Sequence, residues 1–261
     1  MDDDGADAMS TQEAVQVAVR AVREAGAVAL ARFGDVLAPE VKTFAGDVVT
    51  DADRAAEAAA TAILTDAAPQ LGIVGEEGTS RPGSPCWVLD ALDGTLNFVR
   101  GDPYWCTALA LVDDAGPLVS AVHQPATGLL LTASRGGGVR DGDGRGVRVG
   151  APRSLSEAVV CAYVEQDDLD QAVHRLLVPR VAGLRVRGSG SLDMAGVALG
   201  VSDVWLGRSM QSWDRDPGSL LVTEAGGAVT FLPGDAGAEE WFAAASSPQL
   251  LDEVRSTLHT P

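Results

Sequence analysis

This chain has almost no lysine, few aromatic residues or histidines, and too few cysteines for a disulfide framework. Lys42 is the one lysine among 19 basic residues, and 37 acidic residues leave a formal net charge of -18. That balance disfavours a nucleic-acid-binding surface, since phosphate backbones are held by clustered positive charge. Cys86, Cys106 and Cys161 form no C-x-x-C spacing and are odd in number, so they are expected as small core residues of a reduced, cytoplasmic protein. His123, His174 and His259 lie far apart, which argues against a histidine-rich zinc site and for surface or half-buried roles. No apolar run approaches the ~20 residues of a membrane span. The acidic start Met1-Asp2-Asp3-Asp4-Gly5 does not read as a signal peptide, and residues 1–9 are expected to be disordered. No G-x-S-x-G elbow or Cys/His pairing points to a covalent nucleophile.

What is present divides into two patterns. Ser10 to Phe33 carries Val15, Val19, Val22 and Leu30 at helical spacing, and Thr50 to Leu64 reads as a second, alanine-rich helix after a hairpin around Gly46. Cys106 to Val112, Leu118 to His123 and Leu129 to Ala133 are strand-like runs joined by tight turns, an antiparallel meander. The glycine-rich stretch Arg135 to Gly146 reads as a loop and a boundary, giving an α+β half over 10–145 and an α/β half over 146–261. In the second half, strands are expected at Ala158 to Tyr163, Val204 to Leu206 and around Ala243. Helices are expected at Leu169 to Leu177, Ser189 to Leu199, Asp216 to Ala225 and Pro248 to Leu258.

The most informative segment is Trp87-Val88-Leu89-Asp90-Ala91-Leu92-Asp93-Gly94-Thr95-Leu96-Asn97-Phe98. A short apolar strand ends in two carboxylates three residues apart, which a turn can aim at one hard cation. If Gly94 and Thr95 open a helix, its unpaired N–H groups face the same spot and suit a phosphate. An ordinary strand-to-turn connection, with aspartate as a cap, would carry the same letters. Three other segments share its acidic character: Lys42 with Asp47-Val48-Val49-Thr50-Asp51-Ala52-Asp53, Gly75-Glu76-Glu77-Gly78, and Ser212-Trp213-Asp214 leading into Glu224-Ala225-Gly226-Gly227.

In this order, the four segments resemble those of the inositol monophosphatase family of metal-dependent phosphomonoesterases. The resemblance implies the layered α-β-α-β-α sandwich of the sugar phosphatase superfamily, with the active site between the halves. It implies two or three Mg²⁺ ions, with Mn²⁺ as a substitute, held by Glu76, Asp90, Asp93, Asp214 and the Leu92 carbonyl, and sensitivity to Li⁺. Glu76 and Thr95, the latter paired with Asp53, would orient and deprotonate the attacking water, and the Gly94 and Thr95 N–H groups would hold the phosphate. Lys42 stands at the family's active-site lysine position, a compact point charge near the attacking water or metal; a stray surface lysine is the alternative. Glu77, Asp47, Asp51 and Glu224 have helix-terminal, capping or solvated roles as equal alternatives.

Departures from the family pattern fall around the leaving group. Ala91 replaces a proline, Arg215-Asp216-Pro217 replaces small residues after Asp214, and Pro217 is tolerable in a first helical turn. Ser191 lies in a changed G-S-A-A-L segment, and Gly207 stands where inositol-hydrolysing members carry a glutamate. With Arg208 and Asp216, these positions are expected to line the leaving-group pocket. The expected activity is hydrolysis of inositol monophosphate or a related cyclitol or sugar phosphate, by a homodimer without nucleic-acid or membrane partners. Histidinol phosphate, a nucleotide 3'-phosphate and a sugar bisphosphate are alternatives, the last two needing a second anion site for which Arg187 and Arg208 are candidates. A weakly active homologue kept as a regulatory, protein-binding partner is the alternative of another class.

Overall fold

The computed structural model describes residues 9–35, 39–42, 48–151, 153–163, 173–208, 210–232 and 241–258. Residues 1–8, Asp47, His259 and the first part of the helix expected at Leu169 lie outside the described residues. Met9, expected with the disordered start, is half-buried against the first core.

Helix α1 (Thr11–Leu30) starts where Ser10 and Glu13 exchange hydrogen bonds, the Ser10 N–H donating to Glu13 Oε2 at 2.9 Å. Its buried face, Ala14, Val17, Ala18, Ala21, Val22 and Ala25, repeats every three or four residues and is mostly alanine. Small side chains let it lie close against α2 (Asp51–Ala67), whose Ala52, Ala56, Ala60 and Leu64 are also buried. Before α2, β1 (Glu40–Val41) pairs antiparallel with β2 (Val48–Val49).

The next strands are β3 (Gly72–Gly75), β4 (Ser80–Arg81), β5 (Cys86–Asp93), β6 (Cys106–Asp113), β7 (Gly116–Gln124), β8 (Leu129–Ser134), β9 (Gly138–Asp141) and β10 (Gly146–Val147), with the short helix α3 (Thr95–Val99) after β5. They form an eight-stranded sheet in the order β10-β9-β8-β7-β6-β5-β3-β4. Only β3 and β5 pair parallel; β5 to β10 run antiparallel. The stretch read as a loop at Arg135 to Gly146 therefore contains β9, and the first sheet runs past the expected boundary to Val147. Glycine-rich composition hid it, since β9 has a single buried apolar residue, Val139.

The second sheet takes β11 (Val159–Ala162), β12 (Gly183–Arg185), β13 (Val204–Arg208), β14 (Ala228–Leu232) and β15 (Trp241–Ala245) in the order β12-β11-β13-β15-β14. Its helices are α4 (Gly190–Ala198), α5 (Ser212–Glu224) and α6 (Pro248–Leu258), with a helical turn over Val173–Leu177. The cores stack these elements into layers. Leu109 and Leu111 of β6 join α1 and α2 in one core, while Cys106 and Ala108 of the same strand pack with Leu192, Leu220 and Leu221 of α4 and α5. The other side of α4 and α5 meets Trp205, Phe242 and Ala244 of the second sheet, whose far face packs against Leu250, Leu251 and Val254 of α6. Strand alternation thus buries both faces of each sheet and produces the α-β-α-β-α order.

Candidate active site

Strand β5 is buried through Asp90, and its pairing with β6 slips between Asp90 and Asp93. The irregularity bends the chain so that Asp90 accepts the Leu92 N–H at 3.0 Å. Gly94 follows at φ +99°, a left-handed turn in which a Cβ would crowd the Tyr104 and Gly188 carbonyls at 3.0 and 3.2 Å. The chain then enters α3, and the Thr95 hydroxyl lies 2.7 Å from Asp53 Oδ1 and 3.1 Å from the Leu92 carbonyl. Asp53 also accepts the Thr50 N–H and hydroxyl at the start of α2, so its carboxylate joins that helix to the β5 turn. Burial raises the Asp53 pKa despite these bonds.

The loop after β3 carries Glu76 and Glu77. Lys42 donates to Glu76 at 2.8 Å and to Glu77 at 2.6 Å, joining the three residues into one charged group. Burial pulls the ammonium's pKa down, but the two carboxylates outweigh it and hold it above its ordinary value. Beneath the loop lies a residue that the sequence reading missed. Glu57 of α2, buried, accepts the Glu77 and Thr79 N–H groups at 2.7 and 2.9 Å. The available signal was its spacing, one helical turn after Asp53 on the same face.

Helix α5 begins four residues before the expected Asp216, so Asp214 falls in its first turn, where it accepts the Gln211 N–H at 3.0 Å. An acid there suits the helix dipole. Pro217 consequently lies in the second turn, not the first; its missing N–H leaves the Trp213 carbonyl without that helical partner. Its own carbonyl accepts the Ser120 hydroxyl at 2.6 Å.

Glu76, Asp90 and Asp214, from three separate elements, bring carboxylate oxygens within 4.8 Å of one another. Burial, and then Glu76, Asp93 and Asp214, pushes the Asp90 carboxyl well above its usual range. Burial, with Glu76 and Asp93, pushes Asp214 up to about 8. Glu76 is raised by burial and restrained by Lys42. Hard oxygen donors that resist ionising together fit a divalent cation such as Mg²⁺, whose charge would compensate them.

Asp93 is not among these three. Its carboxylate accepts the Ser191 N–H at 2.7 Å, the Ser189 hydroxyl at 3.0 Å and the Gly190 N–H at 3.2 Å, capping the N-terminus of α4. Unpaired amides at a helix start draw a carboxylate, a competition that the D-x-x-D spacing could not reveal. Ser191 is buried, and it reaches the site through this backbone bond to Asp93. Gly207 is buried in β13, where a Cβ would collide with the Trp205 indole and approach Met210 Sδ at 2.8 Å; the expected open pocket wall is packed instead. Arg208 lies over the Trp241 ring at 5.5 Å, and Asp216 is buried and paired with Arg215 at 2.8 Å. Arg187 is engaged by buried Asp193 at 2.9 Å and by the Tyr104 ring at 4.3 Å. Glu224 accepts the Gly136 and Gly138 N–H groups, and Asp51 pairs with Arg54 at 3.3 Å on the surface.

Stacked helices and sheets that bring a carboxylate cluster beside a glycine turn form a site suited to a divalent cation and a phosphate ester. The model of the family described as "Inositol monophosphatase family" matches residues 10–259. An inositol-1-monophosphatase of Rhizobium meliloti is 39% identical over 238 residues, covering 87% of this chain and 88% of that protein. The Nus factor SuhB of Pseudomonas aeruginosa is 37% identical, covering 85% of this chain and 87% of its own. The crystal structure of the extragenic suppressor protein suhB from Bartonella henselae superposes with a TM-score of 0.87 at 30% identity, over 95% of this chain and 98% of that one. The chain belongs to the inositol monophosphatase family. It is a phosphoric monoester hydrolase of a metal-dependent family. Among the described residues, no helix is long and apolar enough to cross a membrane.

Proposed function

We propose that this protein hydrolyses inositol monophosphate or a related cyclitol or sugar phosphate with two or three Mg²⁺ ions, as a cytoplasmic homodimer. The observation that carries this reading is the convergence of Glu76, Asp90 and Asp214 within 4.8 Å, next to the Thr95–Asp53 hydrogen bond. Glu76, Asp90 and Asp214 would hold the cations, joined by the Leu92 carbonyl and by Asp93 through lone pairs not used at the α4 cap. When bound, the cations supply Lewis-acid activation of water and neutralise the leaving oxygen.

The protein's own groups do the rest. The Thr95 hydroxyl donates a hydrogen bond to Asp53 or to the Leu92 carbonyl, which leaves its lone pair free to accept from the attacking water, while Glu76 takes the water's other proton. Lys42 favours the ionised form of Glu76 and restrains its position. The Gly94 and Thr95 N–H groups would hold the phosphate oxygens as charge builds on them.

The engagement of Arg187 with Asp193 favours a monophosphate over a bisphosphate or nucleotide 3'-phosphate, since that guanidinium is already committed to a buried acid. Similarity to a Nus factor supports a second reading, a regulatory protein with weak activity. The intact carboxylate set favours the enzyme. A phosphate-release screen with Mg²⁺ over cyclitol, sugar, nucleotide and histidinol phosphates decides between them. Turnover of a cyclitol or sugar monophosphate, lost in EDTA and in Asp90→Asn, is expected. Activity that persists in EDTA, or no hydrolysis of any ester, would refute the reading.

A further inference from the structure

Helix α2 carries two buried carboxylates four residues apart, and each grips a different loop of the site. Asp53 takes the Thr95 hydroxyl at 2.7 Å. Glu57 takes the Glu77 N–H at 2.7 Å and the Thr79 N–H at 2.9 Å. Residues at this spacing stack on one helical face, so the two loops are held at a separation that the helix itself dictates. Glu57 is only 3% exposed, and among the described residues its hydrogen bonds go to these two amides. A buried carboxylate bonded to amides, with no cation among those bonds, is a costly device, out of proportion to closing a surface turn.

The loop is built around that acid. Gly75 lies against it so closely that a Cβ there would collide with the Glu57 carboxylate. The Gly75 N–H donates to the Thr79 carbonyl at 2.8 Å, closing the turn, and the Glu76 N–H donates to the Leu89 carbonyl at 3.2 Å, keying it to β5 just before Asp90. Glu76 therefore sits between an amide fixed to β5 and an amide fixed to α2, and Lys42 restrains its side chain from above.

We propose that Glu57 is a positioning residue that sets the Glu76 carboxylate against Asp90 and Asp214, so that α2 acts as a ruler between the Glu76 loop and the Thr95 loop. The inference rests on the reading of that carboxylate cluster as the cation site. Glu57 has no contact with substrate in this role. Its effect passes through the Glu77 and Thr79 amides.

The test is Glu57→Gln, which keeps the volume but offers one oxygen acceptor and turns an NH₂ donor toward the second amide. Mg²⁺ affinity is read by calorimetry on ester-free protein, and the Mg²⁺ concentration for half-maximal activity is read separately. Both should weaken about tenfold or more, the scale on which residues supporting metal ligands act, while KM for the ester at saturating Mg²⁺ stays within about twofold. In a Glu76→Gln background the same change should weaken Mg²⁺ no further, because the residue it positions is already lost. Glu57→Asp is the second variant should Glu57→Gln fold poorly; it keeps the charge, withdraws the acceptors from the amides, and should show the same loss. Unchanged Mg²⁺ affinity in a folded variant, or an additive loss in the Glu76→Gln background, would overturn the proposal. If wild-type protein binds Mg²⁺ but hydrolyses no ester, the proposed function fails while calorimetry still decides the role of Glu57.

Discussion

Replacing Asp214 by asparagine should make the metal-free protein more stable while ending its activity. Burial, with Glu76 and Asp93 nearby, pushes the Asp214 carboxyl from 3.8 up to about 8. Between those two values the native state keeps a proton that the unfolded chain has released, so rising pH favours unfolding. The penalty is absent below about pH 4, grows as pH rises, and levels off above about pH 8. At about 1.4 kcal/mol per pH unit, its ceiling is about 6 kcal/mol. Asp214 is half-buried, and screening by water reduces the realised effect to about 2–4 kcal/mol. Asparagine has nearly the same shape, and its oxygen can keep the 3.0 Å bond from the Gln211 N–H, so the substitution removes charge and little else. Urea melts of both proteins in EDTA at about pH 5 and about pH 8 measure it. Asp214→Asn should be the more stable by that margin at the higher pH and by much less at the lower. Adding Mg²⁺ should stabilise wild type strongly and the variant weakly, because a ligand stabilises only the state that binds it. A variant no more stable than wild type at about pH 8 in EDTA, or equally favoured at both pH values, would refute the idea that these carboxylates oppose folding until a cation joins them.

The glutamate pair should separate by role: Glu76→Gln is expected to lower kcat by about a hundredfold or more, whereas Glu77→Gln, whose backbone N–H is still held by Glu57, should stay within about tenfold. Steady-state rates in the order reversed would move the water-orienting role to Glu77. Gly207→Glu should destabilise the fold by about 2–4 kcal/mol in a denaturant titration, since its side chain must displace Trp205 and Met210 and bury a charge. Unaltered stability with raised activity on inositol phosphate would restore Gly207 to the leaving-group pocket.

The site was legible in sequence where one short segment holds both the ligand and the turn that aims it. Trp87 to Phe98 announces strand, carboxylates, glycine turn and helix in order, and β5, Gly94 and α3 follow that order. The hydroxyl–carboxylate pair of Thr95 and Asp53 was expected from the resemblance and is present at 2.7 Å. Three features were not legible. Glu57 is marked in sequence only by its helical spacing from Asp53, and its importance comes from amides 20 and 22 residues away. The cap that engages Asp93 belongs to α4, nearly a hundred residues further on. Helix α5 starts at Ser212 because Gln211 and Asp214 cap it, which apolar periodicity cannot register.

The sequence by itself determined the class of chemistry through the resemblance of its four acidic segments, in order, to the inositol monophosphatase family, and it determined the sheets wherever alternation buries two faces. Only the tertiary structure decided which acids meet. Glu76, Asp90 and Asp214 come within 4.8 Å because β3 and β5 lie side by side in one sheet and α5 packs against it from the next layer. It also decided that Asp93 would cap α4 and that Trp205 would fill the space beside Gly207. Periodicity along a chain records which face of an element is buried, whereas distances between elements are set by the packing of side chains from opposite ends of the sequence.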